Sequence, residues 1–188
     1  MLKKTFQGFV LFLVLLIPFR GQVYRWLVTY EAVGQRSNIA ITNQKLIDAI
    51  ERRLQNKPSN AEQLMSVAMD ITCDHLQFTF AQAPSDPNTL IETHEANCVG
   101  YSAMFQSVVQ YIIQKYHLEQ QWQCKHLIGK LYVCGVDIHP CFDTPFFRDH
   151  DFNLIKNLET GQTLYADPST GDYLWIPRVE GRSNYQTL

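Results

Sequence analysis

The segment from Cys98 to Tyr116 constrains the fold more than any other part of the chain. Tyr101, Phe105, Val108, Ile112 and Tyr116 recur at helical spacing, and Val109 and Ile113 widen that stripe until little of the surface is polar. Such a helix must lie largely buried, with other elements packed around it. The chain can supply them: 188 residues, 46% of them hydrophobic and 18% charged, suit one domain with a sizeable core and exclude a disordered chain. With 16 Lys and Arg against 18 Asp and Glu, the net charge of -2 provides no general attraction to phosphate backbones, so no nucleic-acid partner is expected.

The elements around this helix can be read in order. Thr42 can cap a helix carrying Leu46, Ile47, Ile50 and Leu54 on one face, and Lys57-Pro58 ends it. Ser59-Asn60-Ala61-Glu62 reads as a capping box opening a second helix to about His75, with Leu64, Ala68 and Ile71 as its stripe. Residues Ala81 to Pro87 read as a loop, and the buried helix starts near Asn97 or Cys98. Beyond residue 122 the pattern turns to short β-type runs at Leu127 to Cys134, Asp151 to Leu158 and Thr163 to Ala166, the last two joined by a turn at Glu159-Thr160-Gly161. Gly171 also reads as a turn residue. The expected class is α+β, with N-terminal helices packed on an antiparallel sheet.

The N-terminus has a different character. Lys3 and Lys4 precede the uncharged apolar run Phe9 to Phe19, which Arg20 closes, the order of an export signal. As a helix the run covers roughly 16 Å against a hydrocarbon core of about 30 Å, so spanning requires flanking residues to snorkel. No small-x-small cleavage site follows closely, and Tyr24, Arg25 and Trp26 suit a headgroup layer. The favoured reading is an uncleaved membrane anchor over residues 1–34 with its juxtamembrane stretch, and a domain over 35–188 that is anchored or exported and faces outside the cytoplasm. A cleaved signal or a buried core helix are the alternatives.

Candidate chemistry gathers at three positions. Two strands joined by a tight turn are antiparallel neighbours, which brings their far ends together. For a turn centred on Glu159-Thr160, His150 faces Ser169 and shares a sheet face with Asp167, one pleat away. Cys98 opens the buried helix, where unpaired amides and the positive dipole end favour a thiolate. A thiol nucleophile needs a base, a group that orients the base, and donors for the oxyanion. The same pattern also fits a packed cysteine, a strand-end histidine and a turn aspartate before Pro168.

Cys124, His126, Cys134, His139 and Cys141 form a rival, metal-binding constellation, but their spacings are not those of known zinc modules and cysteines on strands are more often packed. No metal is expected. Without Cys98, the cysteines Cys73, Cys124, Cys134 and Cys141 allow three disulfide pairings in an exported domain. His75, His94 and His117 read as solvated or locally hydrogen-bonded. There is no Gly-rich phosphate loop and no calcium loop, so no cofactor is expected.

Asn97-Cys98-Val99-Gly100-Tyr101-Ser102 at a helix start, His150-Asp151-Phe152-Asn153 at a strand start and Tyr165-Ala166-Asp167-Pro168-Ser169 after a hairpin together resemble the three sequence blocks of the transglutaminase-like superfamily. The resemblance covers about residues 60 to 177, with Phe152 standing where the family usually has Trp. It implies a papain-like α+β core with a Cys98, His150, Asp167 triad. On that reading the chain is a protease, amidase or acyltransferase acting on peptide or protein amides through a thioester on Cys98, with His150 as general base and acid and Asp167 orienting it. Hydrolysis is expected over transfer; transfer would need a covered, partly apolar channel for an amine, whose candidate lining is Phe142, Phe146, Phe147, Phe152 and Trp175, each of which fits a core role equally well. The alternatives are a catalytically silent domain of this kind that binds a peptide or polymer, and the Cys/His metal module.

Overall fold

The computed structural model describes residues 17–144 and 148–183. Most of the apolar run Phe9 to Phe19, and Phe146 and Phe147, lie outside these residues. Among the described residues, no helix is long and apolar enough to cross a membrane.

The mixed α+β class expected from the sequence is found, but the sheet is not wholly antiparallel. Among the described residues eight strands occur in chain order: β1 (Val28–Arg36), β2 (Gln77–Phe78), β3 (Glu95–Ala96), β4 (Trp122–Val133), β5 (Val136–Asp137), β6 (His150–Asn157), β7 (Thr163–Ala166) and β8 (Arg178–Arg182). Five of them run β1-β8-β7-β6-β4 and close through a β1–β4 pairing, with β5 added outside β4. The β1–β8 pair is parallel, and the other pairs in the barrel are antiparallel. Residues 28–34, expected to belong to a juxtamembrane stretch, are therefore part of the barrel wall. Val28, Tyr30 and Ala32 alternate with Thr29 and Glu31, and only the first set is buried.

The helices are α1 (Arg20–Leu27), α2 (Gln44–Arg53), α3 (Ala61–His75), α4 (Pro87–Thr93), α5 (Cys98–Lys115) and α6 (Pro168–Leu174). The caps differ by one residue from the expected ones. Asn43 rather than Thr42 caps α2, and Asn60 caps α3 while Gln63 Oε1 accepts from the Ser59 amide, a capping box one position later than expected. Helix α4 lies where no helix was expected, although Asp86 at its N-cap and Pro87 at its first position are a start signal. Gly171 lies inside α6, not in a turn.

The long helix α5 is buried almost throughout, as its apolar stripe requires. It packs across β4 and β6, with α3 against its other side. This gives two cores. One fills the space between barrel and helices and includes Phe105, Val108, Ile112, Cys124 and Ile155. The other fills the barrel with Val28, Tyr30, Leu127, Phe152, Leu154 and Val179. Strand β6 serves both, which is why its residues from Asp151 to Ile155 are buried without alternation.

Gly129 on β4 pairs with His150, and a Cβ there would meet the Phe152 ring and lie 3.1 Å from the Glu31 carbonyl. Phe152 in turn packs on Tyr30, with ring centroids 5.2 Å apart. We expect Gly129→Ala to cost about 1–3 kcal/mol by overpacking the barrel. Urea unfolding checks this through a lowered midpoint at unchanged slope; an unaltered midpoint would contradict the close approach.

Candidate active site

Cys98 is the first residue of α5 and is buried. The Asn97 side chain caps the helix, accepting from the Val99 and Gly100 amides at 3.1 and 3.4 Å. Gly100 lets this first turn sit against its surroundings: a Cβ there would lie 2.8 Å from Ala96 Cβ and 3.2 Å from the Pro84 carbonyl.

His150 opens β6, and its side chain is 18% exposed. Lys156 pairs with Thr163 and Asn153 with Ala166, which is the register of a turn centred on Glu159-Thr160, one of those the sequence left open. Asn157 Oδ1 accepts from the Glu159 and Thr160 amides, and Gly161 supplies the positive φ of 73° that closes the turn. At the far end His150 Nε2 donates to Asp167 Oδ2 at 2.7 Å. Cys98 lines the same cavity as the His150 ring and lies within its electrostatic reach.

Asp167 is fully buried and caps α6. Its Oδ1 accepts from the Ser169 amide at 3.0 Å, the Ser169 hydroxyl at 2.7 Å and the Thr170 amide at 3.2 Å. Its Oδ2 accepts from His150 and from the Tyr30 hydroxyl at 2.8 Å, and Tyr24 hydrogen-bonds Tyr30 behind it at 2.7 Å. Tyr30 also meets the His150 ring edge-on, with centroids 5.7 Å apart. Sequence reading missed Tyr30 because its strand follows an apolar run; the alternation of Val28, Tyr30 and Ala32 was the available signal.

Charge accounts for the titration of these groups. Burial pushes the Asp167 carboxyl up, but the charge and hydrogen bond of His150, with Ser169 and Tyr30, outweigh it and hold it below the usual carboxylate range. Burial likewise opposes the His150 cation, yet Asp167 and then Cys98 raise it well above its ordinary value. Tyr30 is raised well above an ordinary phenol, first by burial and then by the Asp167 charge, so it stays a donor.

A second buried ion pair lies on the opposite face of β6. Asp151 is wholly buried and accepts from His126 Nε2 at 2.6 Å and from Arg36 through two nitrogens. Burial would raise its carboxyl, and His126 and Arg36 lower it overall. Asp149 and Cys98 also lie within electrostatic reach of the Arg36 guanidinium.

The rival metal set does not come together. His126 is in the ion pair, His139 accepts from the Leu131 amide at 2.8 Å, Cys124 is buried with its thiol pushed up by burial, and Cys134 and Cys141 are exposed. Among the described residues no group of three or more such side chains could hold a metal ion. All five cysteines are free. His75 and His94 make local bonds to the carbonyls of Ile71 and His75.

Cys98 and His150 open into a cavity of about 500 Å³. Of the expected lining, Phe142 is present; Phe152 is instead in the barrel core, and exposed Trp175 stacks against Arg20 away from the cavity wall. Phe78, Phe80 and Tyr173 provide walls that sequence reading did not assign.

No family model, curated protein or solved structure matches this chain. The functional argument therefore rests on the site itself.

Proposed function

We propose that the chain is a transglutaminase-like cysteine enzyme with a papain-like core that hydrolyses peptide or protein amides through a thioester on Cys98. The observation that carries this reading is the position of the His150 ring, bonded to Asp167 through Nε2 and lining one cavity with Cys98. The Cys98 sulfur attacks the amide carbonyl with its proton on His150. The backbone amide of Cys98, at the first position of α5, has no partner within the helix and is placed to donate to the oxyanion. Collapse of the tetrahedral adduct breaks the C–N bond, and His150 gives its proton to the leaving amine. Water then loses a proton to His150 and attacks the thioester, which releases the acid and returns the sulfur and proton to the pair. Asp167 holds the ring and its charge throughout.

Iodoacetamide labelling tests this reading, because exposure and activation make opposite demands. Cys134 and Cys141 are exposed and Cys98 is buried, so passive labelling would modify the first two ahead of Cys98. We expect Cys98 to react first, and His150→Ala to slow it by about 10²-fold while Cys134 labels as before. Labelling in order of exposure, or independent of His150, would overturn the catalytic assignment.

A further inference from the structure

The cavity has an unusual lining for a site that handles polar amides. On one side Phe78 packs edge-to-face against Phe80, with centroids 5.2 Å apart at 79°, and against Tyr173 at 5.6 Å and 81°. The Phe78 amide donates to the Tyr173 hydroxyl at 2.7 Å, and Tyr101 donates to Asp172 at 2.6 Å beneath it, so β2 and α6 hold this wall in place. Leu174 extends it, and Leu131 and Phe142 stand on the barrel side. Phe80, Tyr173 and Leu174 are 72%, 53% and 46% exposed, an apolar surface that a soluble domain does not ordinarily leave open beside a nucleophile. The volume, about 500 Å³, is that of a pocket for a small-molecule-sized group. Asp149 on the rim adds a negative charge next to His150.

We infer that this pocket selects the acyl side of the substrate: a peptide whose residue on the carbonyl side of the attacked bond carries an aromatic or branched aliphatic side chain, with acidic residues rejected. The inference rests on the proposed thioester chemistry and adds specificity to it. A bulky apolar side chain covers the exposed aromatic wall and excludes water from the carbonyl as the sulfur attacks. A glycine leaves the wall wet. An aspartate sets its charge against Asp149 and against apolar walls that do not solvate it.

The experiment compares p-nitrophenyl esters of N-acetyl-phenylalanine, N-acetyl-leucine, N-acetyl-glycine and N-acetyl-aspartate on the full chain. Nitrophenolate release is followed by absorbance and the acylated cysteine is located by mass spectrometry. The sulfur forms a C–S bond as the ester C–O bond breaks, so the readout requires no amine leaving group. We expect the phenylalanine and leucine esters to acylate Cys98 at least about tenfold faster than the glycine ester, with the aspartate ester slowest. Because Phe80 is exposed, Phe80→Ser should fold, and the ratio of phenylalanine to glycine rates should fall several-fold. Equal rates for all four esters at Cys98, with iodoacetamide still singling out Cys98, would overturn the specificity and leave the catalytic assignment standing. Acylation of the other cysteines ahead of Cys98, with unselective iodoacetamide labelling, would overturn both. A preference unaltered in Phe80→Ser would show that the aromatic wall is not its source and would overturn the inference.

Discussion

Replacing Asp167 with Asn is expected to lower acyl transfer by about 10⁴-fold while the protein remains folded, the scale of effect when a triad carboxylate is neutralised. The reason is the division of labour between its two oxygens. Oδ1 accepts three donors from Ser169 and Thr170 at the start of α6, and Oδ2 accepts two, from Tyr30 and His150. An amide has one accepting oxygen and an NH₂ that can only donate, so Asn cannot accept on both sides. Keeping its oxygen on the helix cap, where Asn is a good N-cap, turns the NH₂ toward His150 Nε2. The ring must then carry its hydrogen on the nitrogen facing Cys98, where it can no longer take the thiol proton. The lost charge also removes the main support of the His150 cation. Hydrolysis of the phenylalanine ester and circular dichroism together check the outcome. A folded Asp167→Asn protein with near-normal rates would remove Asp167 from the mechanism.

The largest effect on stability is expected at Asp151. Asp151→Ala leaves buried His126 without its partner and removes both bonds to Arg36, and breaking a buried pair in this way costs about 3–5 kcal/mol. Arg36 is 38% exposed and keeps part of its hydration, so most of the loss falls on His126, which is 1% exposed. The pH dependence follows from direction. The Asp151 and Asp167 carboxyls are both lowered, so their stabilisation is fully present above the unfolded carboxylate value near 3.9 and is lost as pH falls through their folded values below it. His150 is raised, so its share is complete below about 6.5 and is lost on the alkaline side as pH rises through its folded value. The attraction between His150 and Asp167 is one interaction and counts once. Urea midpoints measured from pH 2 to 9 should therefore fall steeply below about pH 4 in the native sequence, and Asp151→Ala should lower the midpoint at neutral pH and flatten the acid limb. An Asp151→Ala protein as stable as the native one would contradict the buried pair.

What could be read along the chain was local. The apolar stripe of Tyr101, Phe105, Val108 and Ile112 located α5, and Asn97, beside its expected start, forms its cap. The hairpin was legible from its turn residues, which brought His150 and Asp167 to the same end, while its exact register was fixed only by the pairing of Lys156 with Thr163. Each of these features depends on residues within about a helical turn or a hairpin of one another, where periodicity and turn chemistry act directly.

The closure of the barrel and the setting of the site were decided elsewhere. Tyr30 reaches Asp167 across 137 positions and Arg36 reaches Asp151 across 115, and the strand that carries both follows a run that resembles an anchor. Its parallel pairing with β8 leaves no mark in either segment. The aromatic wall came from a two-residue strand and a seven-residue helix, each too short to show a period. The sequence by itself determined the helices α2, α3 and α5, the hairpin and the three reactive residue types near their ends. Only the tertiary structure decided that Cys98 and His150 line one cavity, that Tyr30 backs Asp167, and that this cavity is apolar, because those arrangements join distant segments and gain their strength from the burial that folding creates.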